Sequence, residues 1–243
     1  MSNAQSVPVS PFISPLIATN GAANVANGAM AQAATAAGTS GGAFGHRATL
    51  LPGFDDPVDG AQAAFRAALQ ALANPGQVQV VDAACGVPAG LSPAMTALLL
   101  ALADIDAPVW VPAGVDEAVR GFLRFHCACP LVDDPAQARF VAVPAGHAMP
   151  PLARCDAGDP AYPDRSATVL LDVDGLASGT SASALTLSGP GIPGSRVVSV
   201  AGLPDGFAAQ WAANHALFPL GVDVFLTHGD QICGLPRTTR MEN

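Results

Sequence analysis

The sequence of 243 residues contains no lysine, so arginine and histidine supply all of its basic side chains. A P-loop nucleotide site requires a lysine after its glycine-rich turn, and pyridoxal phosphate is held in enzymes as a Schiff base with a lysine amine. The absence of lysine therefore excludes both classes of site in their usual form. An anionic ligand would have to be bound by arginine, histidine or backbone N–H groups.

Charge is also scarce, since charged residues make up 12% of the chain and the formal net charge is −9. Nucleic acids and anionic membranes are bound by clustered basic residues, and the arginines form no cluster. We therefore expect neither nucleic acid nor a membrane as a partner. No apolar run approaches the ~18 residues of a membrane-spanning helix, and the first residues lack the pattern of a signal peptide. These features predict a cytoplasmic protein with five reduced cysteines.

The first part of the chain differs in composition from the rest. The stretch 20–45 consists mainly of alanine, glycine, asparagine, serine and threonine, with almost no large apolar residue. Such a segment buries too little surface to offset the entropy cost of ordering it. We predict a disordered tail over residues 1–48, with a partly helical, alanine-rich arm as the alternative. Residues 49–243 are then expected to form a single α/β domain.

From about residue 51 onward, segments with helical periodicity alternate with short apolar segments typical of strands. The pattern predicts four helices, at residues 57–73, 92–103, 116–126 and 205–216. It predicts eight strands, at residues 77–81, 108–111, 139–143, 168–173, 184–188, 196–200, 222–227 and 231–235. Interleaved helices and strands favour a layered α/β fold. The short turn 228–230 predicts a closing antiparallel hairpin and hence a mixed sheet.

The segment GPGIPG at residues 189–194 matches the glycine spacing of a dinucleotide-binding loop. That loop must open a helix, whose N-terminus holds the pyrophosphate. Pro190 and Pro193 interrupt the loop, and residues 196–200 after it have the pattern of a strand. We therefore interpret the segment as a turn between two strands.

The segment HCAC places His126, Cys127 and Cys129 within four residues, and zinc is bound by such side chains. A zinc site requires four ligands that converge, and His147 or Cys155 are conceivable additions. The spacing matches no familiar zinc motif. We favour reduced cysteines at the end of a helix over a metal site.

Two pairs of aspartates invite a functional interpretation. Asp172 and Asp174 resemble the start of a calcium loop, but no later carboxylate completes it. Asp104 and Asp106 follow the second predicted helix. We interpret the first pair as a junction between a strand and a turn, and the second as turn and capping residues.

Arginine is the residue that best fits phosphate or phosphonate oxygens, through its planar fork of donors. Arg120 and Arg124 are four residues apart and share a helix face, and Arg237 follows a predicted strand. Surface ion pairing with the nineteen acidic residues is the alternative for each. The motifs of serine hydrolases and zinc proteases do not occur, so the residues alone indicate no catalytic centre.

Five segments, in the same order along the chain, resemble the PhnH family of the phosphonate C–P lyase system. They are AFRAALQALANPGQV (64–78), ALLLALADIDAPVW (97–110), FLRFHCACPLVDDPAQARFVAV (122–143), LTLSGPGI (185–192) and FPLGVDVFLTHGDQICGLPRTT (218–239). The resemblance spans residues 51–240, and each segment is weakly specific by itself. The chain departs from the family pattern at Cys127 and Cys129.

This resemblance implies a three-layer αβα fold with a mixed β-sheet, similar to pyridoxal-phosphate-dependent transferases but without the cofactor. It implies no cofactor and no metal. The implied partners are subunits G, I and J of the C–P lyase core complex, and a second copy of the chain when it is isolated. The complex replaces the adenine of ATP by a phosphonate, as ribose 1-methylphosphonate 5-triphosphate synthase, and a radical enzyme cleaves the C–P bond later. The family member is implied to be an accessory subunit without a catalytic centre.

Within the matching segments lie Arg66, Arg124, His126 and Arg237, which we hypothesise bind partner subunits or an anion. Two other functions remain open at this stage. One is an independent enzyme that acts on a phosphorylated small molecule through arginine and histidine. The other is a ligand-binding or regulatory module without catalysis.

Overall fold

A computed structural model of the protein describes residues 50–179 and 183–242, so the predicted tail lies outside the described residues. The α-helices of the described part are α1 (Pro57–Ala73), α2 (Pro93–Leu102), α3 (Glu117–His126) and α4 (Phe207–His215). The strands are β1 (Gln79–Val80), β2 (Val109–Trp110), β3 (Leu131–Val132), β4 (Phe140–Val143), β5 (Thr168–Asp172), β6 (Gly175–Ser178), β7 (Ala184–Ser188), β8 (Arg196–Ala201), β9 (Asp223–His228), β10 (Gln231–Leu235) and β11 (Arg240–Glu242).

The first three helices begin where the sequence places a capping residue. The side chain of Asp56 accepts hydrogen bonds from the N–H groups of Val58 and Asp59, and Ser92 accepts one from Met95. Asp116 caps α3 in the same way. Each cap satisfies N–H groups that have no partner within the helix. The predicted helices are thereby confirmed to within two residues at their starts.

Seven strands form the main sheet, in the order β1-β10-β9-β5-β4-β2-β3. The five strands from β9 to β3 run parallel to one another, whereas β10 is antiparallel to β9 and β1 is antiparallel to β10. The hairpin of β9 and β10 turns at Gly229. The sheet is therefore mixed, as the sequence predicted.

The main sheet separates two hydrophobic cores. In β5, Val169 and Leu171 belong to one core, whereas Leu170 between them belongs to the other, and β4 and β9 repeat this alternation. Successive side chains of a strand point to opposite faces, so each core lies against one face. The core on the Leu170 face contains the buried side chains of α1, α2 and α3.

The opposite face of the sheet is covered by α4 together with a second, antiparallel sheet, in the order β11-β7-β8-β6. Phe207 and Trp211 of α4 pack in this core, and the indole N–H of Trp211 donates to the carbonyl of Thr239. The expected αβα layering is thus incomplete, because this outer layer combines one helix with a small sheet. Parallel strands need a long connection between them, and the connection from β5 to β9 contains α4 and three strands of the second sheet, β6, β7 and β8.

Helix α1 packs unusually close to β10. Its buried side chains are all alanine, at Ala64, Ala68 and Ala71. A Cβ atom placed on Gly234 of β10 would lie 2.5 Å from the backbone carbonyl of Ala71. Small residues on both elements therefore permit the approach.

Residues 189–194 form the turn between β7 and β8, as the sequence predicted. Gly189, Gly191 and Gly194 all have positive φ values, and a Cβ atom on Gly191 would lie 2.3 Å from the carbonyl oxygen of Ala73. The glycines here serve the turn and its close approach to the end of α1, and no helix follows them.

Candidate functional site

A cleft opens at the carboxyl ends of β4, β5 and β9, where ligands of open α/β sheets commonly bind. Its volume is about 500 Å³. The lining residues come from the ends of these strands and from the start of α2: Gly90, Leu91, Ser92, Pro93, Ala145, Asp172, Val173, Asp174, His228 and Gly229. The cleft therefore brings together four separate parts of the chain.

Asp172, the last residue of β5, is the centre of the hydrogen bonds around this cleft. One carboxylate oxygen accepts from the hydroxyl of Ser92 at 2.5 Å and from the hydroxyl of Thr227. The other accepts from the backbone N–H of Ser92 at 3.3 Å, and the backbone N–H of Ala145 is a further donor. A buried carboxylate needs such partners. Asp172 thereby ties the start of α2 to β5, β9 and the loop after β4.

Burial raises the pKa of Asp172 above its ordinary value of 3.8, and the hydrogen bonds from Ser92 and Thr227 oppose this shift. Beside it, the Nδ1 atom of His228 lies 3.0 Å from the carbonyl oxygen of Val173. That contact assigns Nδ1 as the donor, so in the neutral ring Nε2 is the free acceptor. Asp174 is exposed at the mouth of the cleft.

The lining residues of the cleft include two aspartates and one histidine, and no arginine among the residues described. The N–H groups at the start of α2 are already used, because Ser92 donates to Asp172 and Ala94 donates to Gly229. Anion binding at a helix N-terminus requires free N–H groups. The cleft therefore suits a neutral or cationic group better than a phosphate or phosphonate.

Arg66 lies on the exposed side of α1, and its Nη2 atom donates to Gln62 at 2.8 Å. It borders a groove of about 390 Å³ whose lining also contains four aspartates. These are Asp55, Asp56, Asp59 and Asp82. Four carboxylates around one guanidinium give the groove a negative potential, which disfavours an anionic ligand. A protein partner is the more suitable contact for Arg66.

Arg124 and His126 lie near the end of α3. Arg124 pairs with Glu117 at 2.7 Å, with both side chains more than half exposed. The Nε2 atom of His126 lies 2.9 Å from the carbonyl oxygen of Leu51, and its ring packs at 4.5 Å from the ring of Phe122. Phe125 between them is 66% exposed. This end of α3 presents an apolar ring beside a cation.

Arg237 lies at the opposite end of the sheet from the cleft, beside Asp223 at the start of β9. Its Nη2 atom lies 2.7 Å from a carboxylate oxygen of Asp223, and its Nε atom 3.2 Å from the other oxygen. The remaining N–H groups donate to the hydroxyl of Ser166 and to the carbonyl oxygens of Pro163 and Pro219. All five donors of the guanidinium are used within the chain.

The family model of the bacterial phosphonate metabolism protein (PhnH) matches residues 52–242. The chain belongs to the PhnH family. It is 38% identical over 190 residues to a protein of Rhizobium meliloti (strain 1021) named alpha-D-ribose 1-methylphosphonate 5-triphosphate synthase subunit PhnH, covering 78% of this chain and 94% of that protein. It is 30% identical over 180 residues to the putative C-P lyase subunit protein HtxG of Stutzerimonas stutzeri, covering 74% of this chain and 85% of that protein.

The predicted site residues of this PhnH family member do not form one site. Arg66 lies on α1, and Arg124 and His126 lie on α3. Arg237 follows β10 and contacts Asp223 at the start of β9. The first three have exposed or half-buried side chains, whereas Arg237 is largely buried. The cleft around Asp172 was not predicted. Its signal was the position of Asp172 at the end of a buried strand, which the sequence analysis had interpreted only as a junction between a strand and a turn.

The structure also places the residues considered for metal binding. Cys127 and Cys129 lie in the core on the α1–α3 side of the sheet, whereas Cys155 lies in the core on the other side. Cys155 therefore does not complete a site with them. Within residues 50–179 and 183–242, no three histidine, cysteine or carboxylate side chains are grouped so as to hold a metal ion. No described helix of this family member is long and apolar enough to cross a membrane.

Proposed function

We propose that this PhnH family member is an accessory subunit of the C–P lyase core complex and works together with subunits G, I and J. Its role is to support the transfer of a phosphonate onto C1 of the ribose of ATP, with release of adenine. The observation that carries this proposal is the alignment with 94% of a protein named as a subunit of the synthase. An alignment over nearly the whole relative supports a common role for the two chains.

The charges of the described residues support an accessory role. The substrates of the proposed reaction are polyanions, whose binding calls for arginine, lysine or free backbone N–H groups. The cleft at the carboxyl ends of the strands has two aspartates among its lining residues, and Arg237 is saturated by Asp223, Ser166 and two carbonyls. These features favour binding of the nucleotide and the phosphonate by the partner subunits.

Two surfaces are suited to contact those partners. On α1, the exposed apolar residues Val58, Phe65 and Leu69 recur at helical spacing and share one face of the helix. On α3, Phe125 is exposed beside Arg124. Aromatic residues and arginine are enriched in the cores of protein interfaces. We propose that these surfaces bind partner subunits, or a second copy of the chain in a homodimer.

We further propose that the main sheet is similar to that of pyridoxal-phosphate-dependent transferases, without the cofactor. A chain that lacks lysine has no side-chain amine for the Schiff base. Addition of pyridoxal phosphate to the purified chain is expected to leave the absorbance spectrum equal to that of the free cofactor. A shifted absorption band that persists after gel filtration would contradict this part of the proposal.

The test of the main proposal is co-expression of this chain with each of the three proposed partners in turn, the partner carrying an affinity tag. We expect the chain to co-purify with a tagged partner, and adenine release from ATP and methylphosphonate to require it only when the partners are present. The purified chain alone is expected to release no adenine. The proposal is wrong if the chain stays apart from all three partners, or if it releases adenine alone.

A second function, a ligand-binding module, is favoured by the cleft around Asp172. Its chemistry suits a small neutral or cationic group, so adenine, which is neutral, is an informative probe. A ligand that binds only the folded state raises the melting temperature. The measurement is made on the isolated chain, without the partner subunits. A melting temperature that rises with adenine in the wild type but not in Asp172→Asn would support this function.

A further inference from the structure

Two cysteines flank a tight reversal of the chain where α3 ends. Cys127 is the C-terminal cap of α3, with φ −97° and ψ −17°, and Ala128 follows with φ +52°. Ala128 is the only residue other than glycine in the described part of the chain with a positive φ. Such a conformation is uncommon for alanine and places it in the left-handed helical region. Cys127 has right-handed helical φ and ψ values and Ala128 has a positive φ, and together these conformations reverse the direction of the backbone.

This conformation sets the separation of Cys127 and Cys129. Residues i and i+2 of a helix lie about 5.4 Å apart at Cα, from its radius, rise and turn, and the left-handed form has the same spacing. Disulfides span Cα separations of roughly 4.4–6.8 Å, with most near 5.5–6 Å. An extended residue between the cysteines would increase the separation beyond the usual value. From the conformation of Ala128 we therefore expect a separation of the two cysteines that is suited to a disulfide.

The two thiols affect each other's ionisation. When Cys129 ionises, a hydrogen bond from the thiol of Cys127 to its sulfur is the largest cause that raises the pKa of Cys127 and also the largest that lowers the pKa of Cys129. Isolated buried thiols of this chain behave differently, since burial raises the pKa of Cys155 to about 11 and that of Cys233 to about 12. Cys129 thus has the more thiolate character of the pair.

If both thiols lost their hydrogens, the two backbone carbonyls that they contact would still have hydrogen-bond partners. The thiol of Cys127 lies 3.5 Å from the carbonyl oxygen of Leu99, and that of Cys129 lies 3.9 Å from the carbonyl oxygen of Leu123. The first carbonyl also accepts from the N–H of Ala103, and the second from the N–H of Cys127. Both thiol contacts are weak hydrogen bonds. Oxidation of the pair is therefore compatible with the surrounding backbone.

We propose that Cys127 and Cys129 are a redox-active pair that closes reversibly to a disulfide in the folded protein when it meets a peroxide. Both side chains are buried, but Ala128 and Pro130, which alternate with them along the chain, are exposed. A small oxidant therefore has a short path to the sulfur atoms.

The reaction proceeds in two balanced steps. The thiolate of Cys129 attacks hydrogen peroxide, which is reduced to hydroxide as its O–O bond breaks, and the sulfur becomes a sulfenic acid. The sulfur of Cys127 then attacks the sulfenic sulfur. The S–S bond forms, the S–O bond breaks, and the thiol proton leaves with the oxygen as water. A dithiol such as dithiothreitol reverses the oxidation by thiol–disulfide exchange.

The sequence provides a convenient measurement, because trypsin cleaves after Arg124 and Arg139. The resulting peptide, residues 125–139, contains Cys127 and Cys129 and no other cysteine. The folded, full-length protein is treated with hydrogen peroxide, unfolded in the presence of a thiol-alkylating reagent, digested and analysed by mass spectrometry. We expect a peptide lighter by two hydrogen atoms that carries no alkyl group. If the oxidised protein is treated with dithiothreitol before alkylation, the peptide should carry two alkyl groups.

The matched control is Cys127→Ser. In this variant the peptide should no longer lose two hydrogen atoms on peroxide treatment. Cys129 should instead remain as a sulfenic acid, which dithiothreitol reduces. Two free thiols on the wild-type peptide after peroxide treatment would overturn the proposal. So would oxidation of Cys129 to a sulfinic acid with Cys127 still free. The wild-type measurement decides the question even if the variant does not fold.

Discussion

At the scale of single residues, the arginines of this PhnH family member differ in environment far more than the sequence suggests. Arg124 and Arg237 both pair with one carboxylate at 2.7 Å. The side chain of Arg124 is 55% exposed, whereas that of Arg237 is 12% exposed and also binds Ser166 and two carbonyls. Exposed ion pairs contribute little to stability, but removal of one member of a buried pair leaves a charge without a partner.

Replacement of Arg237 by alanine is therefore expected to lower the free energy of unfolding by about 2–4 kcal/mol, because Asp223 would remain largely buried without its cation. Arg124→Ala is the matched control, with an expected loss below about 0.5 kcal/mol. Urea denaturation followed by circular dichroism measures both values. Equal losses in the two variants would show that the Arg237 network does not stabilise the fold.

Asp172 should make the stability of the protein depend on pH in a particular direction. Burial raises the pKa of Asp172 in the folded protein above its ordinary value of 3.8, so the folded state binds this proton more tightly than the unfolded chain. The resulting stability is fully present below the unfolded pKa and is lost as the pH rises through the folded pKa. Other carboxylates add their own pH dependence.

The contribution of Asp172 is isolated by the difference between the wild type and Asp172→Asn. From about pH 3.5 upward, the unfolding free energy of the wild type is expected to fall relative to that of the variant, and then to level off above the folded pKa. Urea denaturation at a series of pH values measures the difference. A wild-type advantage that instead grows as the pH rises would contradict a raised pKa.

At the scale of secondary-structure elements, the predictions were accurate where capping residues and periodicity act together. They missed three short strands, although β1 and β2, with two residues each, lie within predicted strands. The starts of α1, α2 and α3 follow from Asp56, Ser92 and Asp116. The strands β3, β6 and β11 have two to four residues, which are too few to establish a period of two in the sequence. They exist because a neighbouring strand supplies their hydrogen-bond partners, which is information that a local pattern lacks.

The contact of α1 with β10 leads to a test at the same scale. In Gly234→Ala the new Cβ atom would lie 2.5 Å from the backbone of Ala71, which cannot move without displacing α1. We expect the free energy of unfolding to fall by about 1–3 kcal/mol from overpacking. In Gly121→Ala on α3 nothing lies within 4 Å of the new atom, and the variant should be as stable as the wild type or more so.

Thermal or urea denaturation of the two glycine variants measures the contrast directly. Because both substitutions add the same methyl group, a difference between them reports the local space and not the chemistry of alanine. A Gly234→Ala variant as stable as the wild type would mean that α1 can move away from the sheet at little cost.

At the scale of the whole molecule, the exposed face of α1 should decide whether the chain assembles with its proposed partners. Leu69 is 54% exposed and lies on the same face as Phe65. A charge at the centre of an apolar interface is strongly unfavourable, whereas an exposed position tolerates it in the isolated chain. Leu69→Asp is expected to abolish co-purification with the tagged partner while the melting temperature of the isolated chain changes little.

The matched control for this surface is Ile105→Asp, which introduces the same charge at a position 69% exposed in the turn after α2. It should co-purify as the wild type does. Loss of assembly in both variants, or in neither, would show that α1 is not the contact surface.

Most of the fold was predictable from the sequence, but the arrangement of the sites was not. The mixed sheet and its closing hairpin follow from the strand patterns and the turn at Gly229. The second sheet was not foreseen, because the pairing of β7 and β8 with β6 and β11 depends on contacts between distant segments. Asp172 was interpreted only as a junction between a strand and a turn for the same reason, since Ser92 and Thr227 approach it only in the folded chain.

The division of the interior into two cores has a consequence for how the molecule transmits disturbances. Leu170 and Leu171 are neighbours in the chain, yet they pack against different layers. A change in side-chain packing beneath α1 or α3 reaches the layer of α4 through the backbone of the main sheet, which is held by hydrogen bonds on both sides of its central strands. The exception is the end of α1, which contacts the turn between β7 and β8 directly. The sheet thus acts as a partition, so binding at the surface of one layer can proceed without reorganising the other.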